Sequence, residues 1–195
     1  MHRSRRTVLA ALAALPPVAL LGSRSAAQSL ELPLTPACGD DERTPSTTAG
    51  PFYKPSSPQR RDLRTEIGRG KPVDLVGFVL DTDCRPLSDV LVEIWHADDA
   101  GNYDSSGFLL RGHQRTDAQG RWAFQTIATK HYSNRTAHYH FRVQRSGGQA
   151  LVTQLFLPGH PRNKGDGIFD PRLLLRMNRQ ASGDLGRFDF VLPAG

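Results

Sequence analysis

Short runs in which apolar and polar residues alternate with the period of two expected of strands recur along this 195-residue chain, and no helical bundle pattern is present. Six short runs, Val73 to Asp81, Val90 to Ala97, Gly120 to Ile127, His138 to Gln144, Ala150 to Phe156 and Arg187 to Leu192, are rich in β-branched and aromatic residues. Between them lie clusters suited to chain reversal, such as Asp83-Cys-Arg-Pro86, Asp98-Asp-Ala-Gly101, Asp117-Ala-Gln-Gly120 and Ser146-Gly-Gly148. The pattern predicts an all-β fold, a β-sandwich with few or no helices, with one short helix expected over Pro171 to Asn178. Residues 39–71 are polar and proline-rich, which predicts an extended N-terminal arm wrapped over the sheets. No internal repeat is present.

The N-terminus follows a different pattern. Ser4-Arg5-Arg6-Thr-Val-Leu9 is a twin-arginine motif, the apolar run continues to Leu21, and Ser25-Ala26-Ala27 supplies small residues for cleavage before Gln28. The run is short, contains Pro16-Pro17 and ends in Gly22-Ser-Arg24, which argues against a stable membrane anchor. The expected organisation is a signal peptide over 1–27, an arm over 28–72 and a β-sandwich core over 73–195, in a protein exported folded to the periplasm or beyond. The formal charge of +6 shrinks accordingly, because residues 1–27 hold four arginines and no acid, leaving 21 basic against 19 acidic residues. No basic block remains to suggest a nucleic-acid partner. An exported chain with two cysteines, Cys38 and Cys84, predicts one disulfide tying the arm to the sheet; it would close a loop of about 47 residues, worth roughly 4 kcal/mol in the chain-entropy model.

The candidate chemistry is concentrated in Tyr132-Ser-Asn-Arg135-Thr-Ala-His138-Tyr-His140. On a strand, His138 and His140 project from one face while Tyr139, Phe141 and Val143 fill the other. Neutral imidazoles suit several transition metals, and phenolates add hard anionic oxygens, so the donor set favours a trivalent ion such as ferric iron over zinc. A second phenol, Tyr103, follows the run beginning at Trp95.

These segments resemble the intradiol ring-cleavage dioxygenases: Trp95 to Tyr103, Arg111 to Ile127, and the Tyr-x-x-Arg-x-x-His-x-His run, flanked by Thr44-Pro-Ser-Thr-Thr-Ala-Gly-Pro-Phe-Tyr53 upstream and Thr153-Gln154-Leu-Phe-Leu-Pro-Gly159 downstream. The resemblance implies five-coordinate Fe(III) held by Tyr103 and His138 as equatorial ligands and by Tyr132 and His140 as axial ones. It implies cleavage of a catechol-type ring between its two hydroxyl-bearing carbons, with a small aromatic diol and O2 as substrates and a cis,cis-muconate-type diacid as product. Tyr132 would take a substrate proton, Arg135 would stabilise negative charge on the ring, and Gln154 would orient it. Tyr53 reads as a packed anchor of the arm; Trp95, Trp122, Phe124 and Phe141 read as core; His96, His113, His131 and His160 have no required role, although the family often lines its pocket near His113.

The residues Asp74 to Asp81, Pro86 to Ile94 and Thr116 to Gly120 also resemble transthyretin-like sandwich modules, which can be purely structural and need no such ligand quartet. The identity of the catechol and the oligomeric state are left open by the sequence.

Overall fold

A computed structural model describes residues 43–180 and 182–194. Among these residues nine strands form two sheets: β1 (Pro72–Asp81), β2 (Leu91–His96), β3 (Arg111–Arg115), β4 (Arg121–Ile127), β5 (His138–Gln144), β6 (Leu151–Phe156), β7 (Arg176–Gln180), β8 (Gly183–Arg187) and β9 (Phe190–Leu192). One sheet has the order β4-β1-β8-β7, with β9 also paired to β1; the other has the order β3-β2-β5-β6. The result is the expected all-β sandwich. No helix among the described residues is long and apolar enough to cross a membrane.

The core sits between the sheets. Val73, Leu75 and Val79 of β1 point inward at alternate positions and meet Ile94, Phe141 and Val143 from the facing sheet. Trp122, Phe141 and Phe190 form its aromatic centre, with ring centroids 5.2–5.4 Å apart. Along β1 the pairing partner changes: Val73 to Val76 run parallel to β8, and Val79 to Asp81 run parallel to β9. At the handover Gly77 has no side chain because a Cβ there would lie 1.7 Å from the Phe188 carbonyl oxygen, and the Phe78 N–H is satisfied by the Asp189 carboxylate at 3.0 Å.

The structure differs from the sequence expectation in three places. The strand foreseen over Arg187 to Leu192 divides at Phe188 and Asp189, so that Arg187 closes β8 and forms a buried ion pair with Asp189 at 2.7 Å. The helix foreseen over Pro171 to Asn178 is only a 3-10 turn at Pro171–Leu173, begun by Asp170, whose side chain accepts the Arg172 N–H. Burying Leu173 and Leu175 takes precedence, and the chain continues as β7. Strand β3, Arg-Gly-His-Gln-Arg, has no strand-like composition; its pairing with β2 defines it.

The described part of the arm, from Arg43 onward, crosses the β3-β2-β5-β6 sheet from one edge to the other. Thr47 N–H bonds the Val152 carbonyl beside β6, and Arg60 N–H and His113 N–H bond the His113 and Pro58 carbonyls at the β3 edge. Leu63 N–H then reaches the Gln125 carbonyl on β4. Both edges of the sheet are thereby covered, which protects them against pairing with another chain. The arm also explains why every residue of β5 from His138 to Phe141 is buried: one face looks into the sandwich, the other lies under the arm. Cys38 and the predicted signal peptide lie outside the described residues.

Candidate metal centre

Strand register builds half of the site. Arg111, Trp95, His140 and Gln154 are successive cross-strand partners on β3, β2, β5 and β6, and so share one face of the sheet. His138 lies two residues before His140 on that face, and their Nε2 atoms are 3.1 Å apart. The other half comes from two loops. Asp98 organises the first by accepting the N–H groups of Ala100 and Asn102. Gly101, at φ 89°, approaches the second so closely that a Cβ would lie 2.6 Å from the His131 carbonyl oxygen. The loops therefore deliver Tyr103 and Tyr132 side by side, with rings edge to face at 5.3 Å.

All four predicted ligands converge. The Tyr103 hydroxyl is 3.4 Å from His138 Nε2, the Tyr132 and His138 rings are 5.9 Å apart, and those of Tyr103 and His140 are 6.1 Å apart. No group of three or more His, Cys, Asp or Glu that could hold a metal occurs among the described residues, so the phenols are essential to any donor set here.

The imidazoles have surroundings that would suit metal ligation. His138 Nδ1 lies 2.7 Å from the Thr136 carbonyl oxygen, which fixes the proton on Nδ1 and leaves the Nε2 lone pair facing His140. His140 is clamped between the Trp95 indole, stacked at 4.9 Å and 6°, and the arm, where a Cβ on Gly50 would meet its Cε1 at 3.4 Å. Its Nδ1 is buried without a hydrogen-bond partner among the described residues. Burial lowers the His138 pKa to about 4 and drives that of His140 well below the usual imidazole range, so both rings are neutral at pH 7, the form that binds metal. The Tyr103 phenol is shifted the other way, by burial first and by Tyr132 second. A bound cation would offset the cost of ionising Tyr103 here, and a trivalent ion matches a donor set of two phenolates and two imidazoles.

Arg135 and Gln154 flank this cluster and touch each other, with Arg135 Nη2 donating to Gln154 Oε1 at 2.5 Å. Gln154 Nε2 donates in turn to the Thr48 carbonyl of the arm at 2.9 Å. Tyr53 is the anchor expected: it packs on Trp95 and donates to the buried Glu93 at 3.3 Å. His113 is bound through Nδ1 to the Ser57 carbonyl at 2.8 Å and takes part in holding the arm.

Trp95 is buried as expected, but on the site face, where it stacks on His140 outside the cluster between the sheets. Two other neighbours were not foreseen. Phe52 stacks on Tyr103 at 4.3 Å and meets Tyr132 edge-on, so the residue beside Tyr53 is the one that walls the site. Asp166, 31 residues after Arg135, receives its Nε–H at 2.8 and 3.0 Å. The Gly-Pro-Phe-Tyr motif carried a signal for Phe52; no local pattern carried one for Asp166.

The fold and site together define a β-sandwich with a two-histidine, two-tyrosine centre on one sheet face. The family described as Dioxygenase matches residues 48–193. Catechol 1,2-dioxygenase 2 of Acinetobacter lwoffii is 34% identical over 149 residues, covering 63% of this chain and 54% of that protein. Hydroxyquinol 1,2-dioxygenase of Nocardioides simplex is 30% identical over 168 residues, covering 73% and 57%. Among solved structures, the dioxygenase domain of a dioxygenase carbohydrate-binding protein fusion from the cellulolytic bacterium Streptomyces sp. SirexAA-E superposes with a TM-score of 0.77 at 43% identity, covering 78% of this chain and 99% of that one. The chain belongs to the intradiol ring-cleavage dioxygenase family. It spans about half the length of the curated relatives it matches.

Proposed function

We propose that this protein is a non-haem iron dioxygenase that opens a catechol-type ring between its two hydroxyl-bearing carbons, consuming O2 and yielding a muconate-type diacid. The observation that carries this reading is the convergence of Tyr103, Tyr132, His138 and His140, with the Nε2 atoms of the two histidines 3.1 Å apart. A sandwich serving only as scaffold has no use for such a cluster. Catechol and hydroxyquinol, the substrates named for the relatives above, define the class of aromatic diol proposed here.

The four residues would hold Fe(III), which when bound would supply the Lewis acidity and redox character that make a coordinated diol reactive toward dioxygen. Phe52 and Trp95 wall the site with aromatic surface, which excludes water from the reacting ring. Tyr132 stands on a loop with its ring against Phe52, Tyr103 and His138, and its phenolate would accept a substrate proton. Arg135 contributes fixed positive charge beside the ring, and Gln154 positions the guanidinium by accepting from its Nη2.

Metal analysis, a visible spectrum and product identification test this together. Iron near one per chain, a phenolate-to-ferric charge-transfer band and muconate-type diacids from catechols are expected. A colourless zinc protein with full activity, or a semialdehyde as the only product, would overturn the proposal.

We also propose export by the twin-arginine route to the periplasm or beyond, with Cys38 bridged to Cys84. The mature N-terminal sequence and a thiol count under denaturing, non-reducing conditions decide this, and two free thiols in the exported protein would refute the bridge.

A further inference from the structure

The dipeptide Arg135-Thr136 enters the site from two directions, and one carboxylate holds both. Asp166 follows the 3-10 turn Asn163–Gly165 in the connection from β6 to β7, and its side chain is only 1% exposed. Its oxygens accept four contacts: Arg135 Nε–H at 3.0 Å on Oδ1 and 2.8 Å on Oδ2, the Thr136 N–H at 2.8 Å on Oδ2, and the Ile168 N–H at 3.0 Å on Oδ1. The Thr136 hydroxyl reinforces the attachment by donating to Asn163 Oδ1 at 2.7 Å, and lies 2.8 Å from His160 Nδ1.

Each contact has a consequence at the metal centre. A guanidinium is planar, with its donors in fixed directions. Holding Nε–H against Asp166 directs Nη2 to Gln154, which is the cross-strand partner of His140. Holding the Thr136 N–H fixes the peptide whose neighbouring carbonyl receives His138 Nδ1 at 2.7 Å. The same carboxylate therefore aims the candidate charge-stabilising arginine and supports the carbonyl that sets the tautomer of a candidate ligand. An asparagine with its oxygen in the Oδ2 position would keep both attachments and lose only the Ile168 N–H, because Arg135 Nε–H reaches either oxygen. An alanine has no acceptor, so both attachments would be lost.

We propose that Asp166 is a positioning residue for ring cleavage, acting through Arg135 and Thr136, so that the β6–β7 connection forms part of the active site. The catalytic consequence rests on the dioxygenase reading above; the attachment itself does not.

The test is a double-mutant cycle on the iron-loaded protein, paired with a measurement that needs no activity. Asp166→Ala is expected to lower kcat/KM for ring cleavage about tenfold or more, mostly in kcat, because the misaimed charge matters most in the transition state. In an Arg135→Met background the same change should cost clearly less, about threefold, since the arginine it positions is gone and only the Thr136 attachment is left to lose. Equal losses in both backgrounds would overturn the proposal. In the iron-free protein, the Arg135 Nε–H resonance should exchange slowly with solvent and lose that protection in Asp166→Ala; unchanged protection overturns the attachment whatever the activity. If Asp166→Ala does not fold, Arg135→Lys replaces it: the charge remains but the planar fork does not, so a comparable fall in kcat is expected and a parental kcat would refute the idea. A parent protein that cleaves no catechol defeats the dioxygenase reading and with it the catalytic role, while the exchange measurement still decides whether Asp166 holds Arg135.

Discussion

Acid should destabilise this fold in a specific way, and His96 is the residue through which to measure it. The side chain at the end of β2 is 1% exposed, with Nδ1 2.7 Å from the Ala97 carbonyl oxygen and Nε2 2.7 Å from the Thr126 hydroxyl. A neutral ring satisfies both, with Nδ1–H donating to Ala97 and Nε2 accepting from Thr126. Burial penalises the imidazolium and lowers the pKa from 6.5 to about 4, against the pull of the Ala97 carbonyl. Between these values the unfolded chain takes up a proton that the folded chain refuses. The stabilisation from His96 is therefore complete above about pH 6.5 and is lost progressively as pH falls toward 4. A gap of about 2.5 pH units at about 1.36 kcal/mol each amounts to about 3 kcal/mol. His138 and His140 are displaced in the same direction, so the parent as a whole loses more than this. The contribution of His96 is isolated by comparison with His96→Gln, using urea unfolding of the iron-free protein at several pH values between neutral and 4. The variant should be less stable than the parent at neutral pH, and the difference should narrow by about 3 kcal/mol on acidification. A difference that stays constant with pH would show that His96 is not held neutral by the fold, and the argument from burial would fail.

Three further outcomes follow from the geometry. Phe141→Ala removes a fully buried ring packed on Trp122, Phe124 and Phe190, and should cost about 3–5 kcal/mol in denaturant unfolding; a loss below about 1 kcal/mol would mean that the two sheets do not meet there. Gly77→Ala should separate β9 from β1, because the new methyl cannot coexist with the Phe188 carbonyl oxygen 1.7 Å away, and rapid amide exchange at Val79 to Asp81 is the readout; parental protection at those amides would contradict the close approach. Tyr132→Phe should displace the visible band of the iron-loaded protein and depress ring cleavage, with thermal unfolding close to the parent because the residue lies on a loop; an unchanged band would remove Tyr132 from the donor set.

The sequence by itself determined the class of fold and the face on which the chemistry lies. Strands such as β1 and β5 are legible because alternation along the chain already states which side chains share a side, and His138 and His140 need nothing more than their spacing. Tyr103, Tyr132 and Arg135 stood out by their donor chemistry, Gln154 and the role of each came from family resemblance, and the fold brings all four to one place. What the sequence could not state is whatever depends on a partner distant along the chain. Strands β3 and β7 are polar because they lie at sheet edges, and β8 is interrupted by two glycines, so each exists by hydrogen bonding to a neighbour and not by its own composition. Trp95 was recognisably buried, but apolarity does not say on which side of a sheet. Register with Arg111 and His140 decided that it stacks on His140, a candidate ligand. Asp166 is the extreme case: nothing near it in the chain distinguishes it from a surface aspartate, and only the return of the β6–β7 connection to Arg135 buries its charge against the one group that can compensate it. Local pattern specifies which face a side chain occupies, whereas tertiary packing specifies what it meets there.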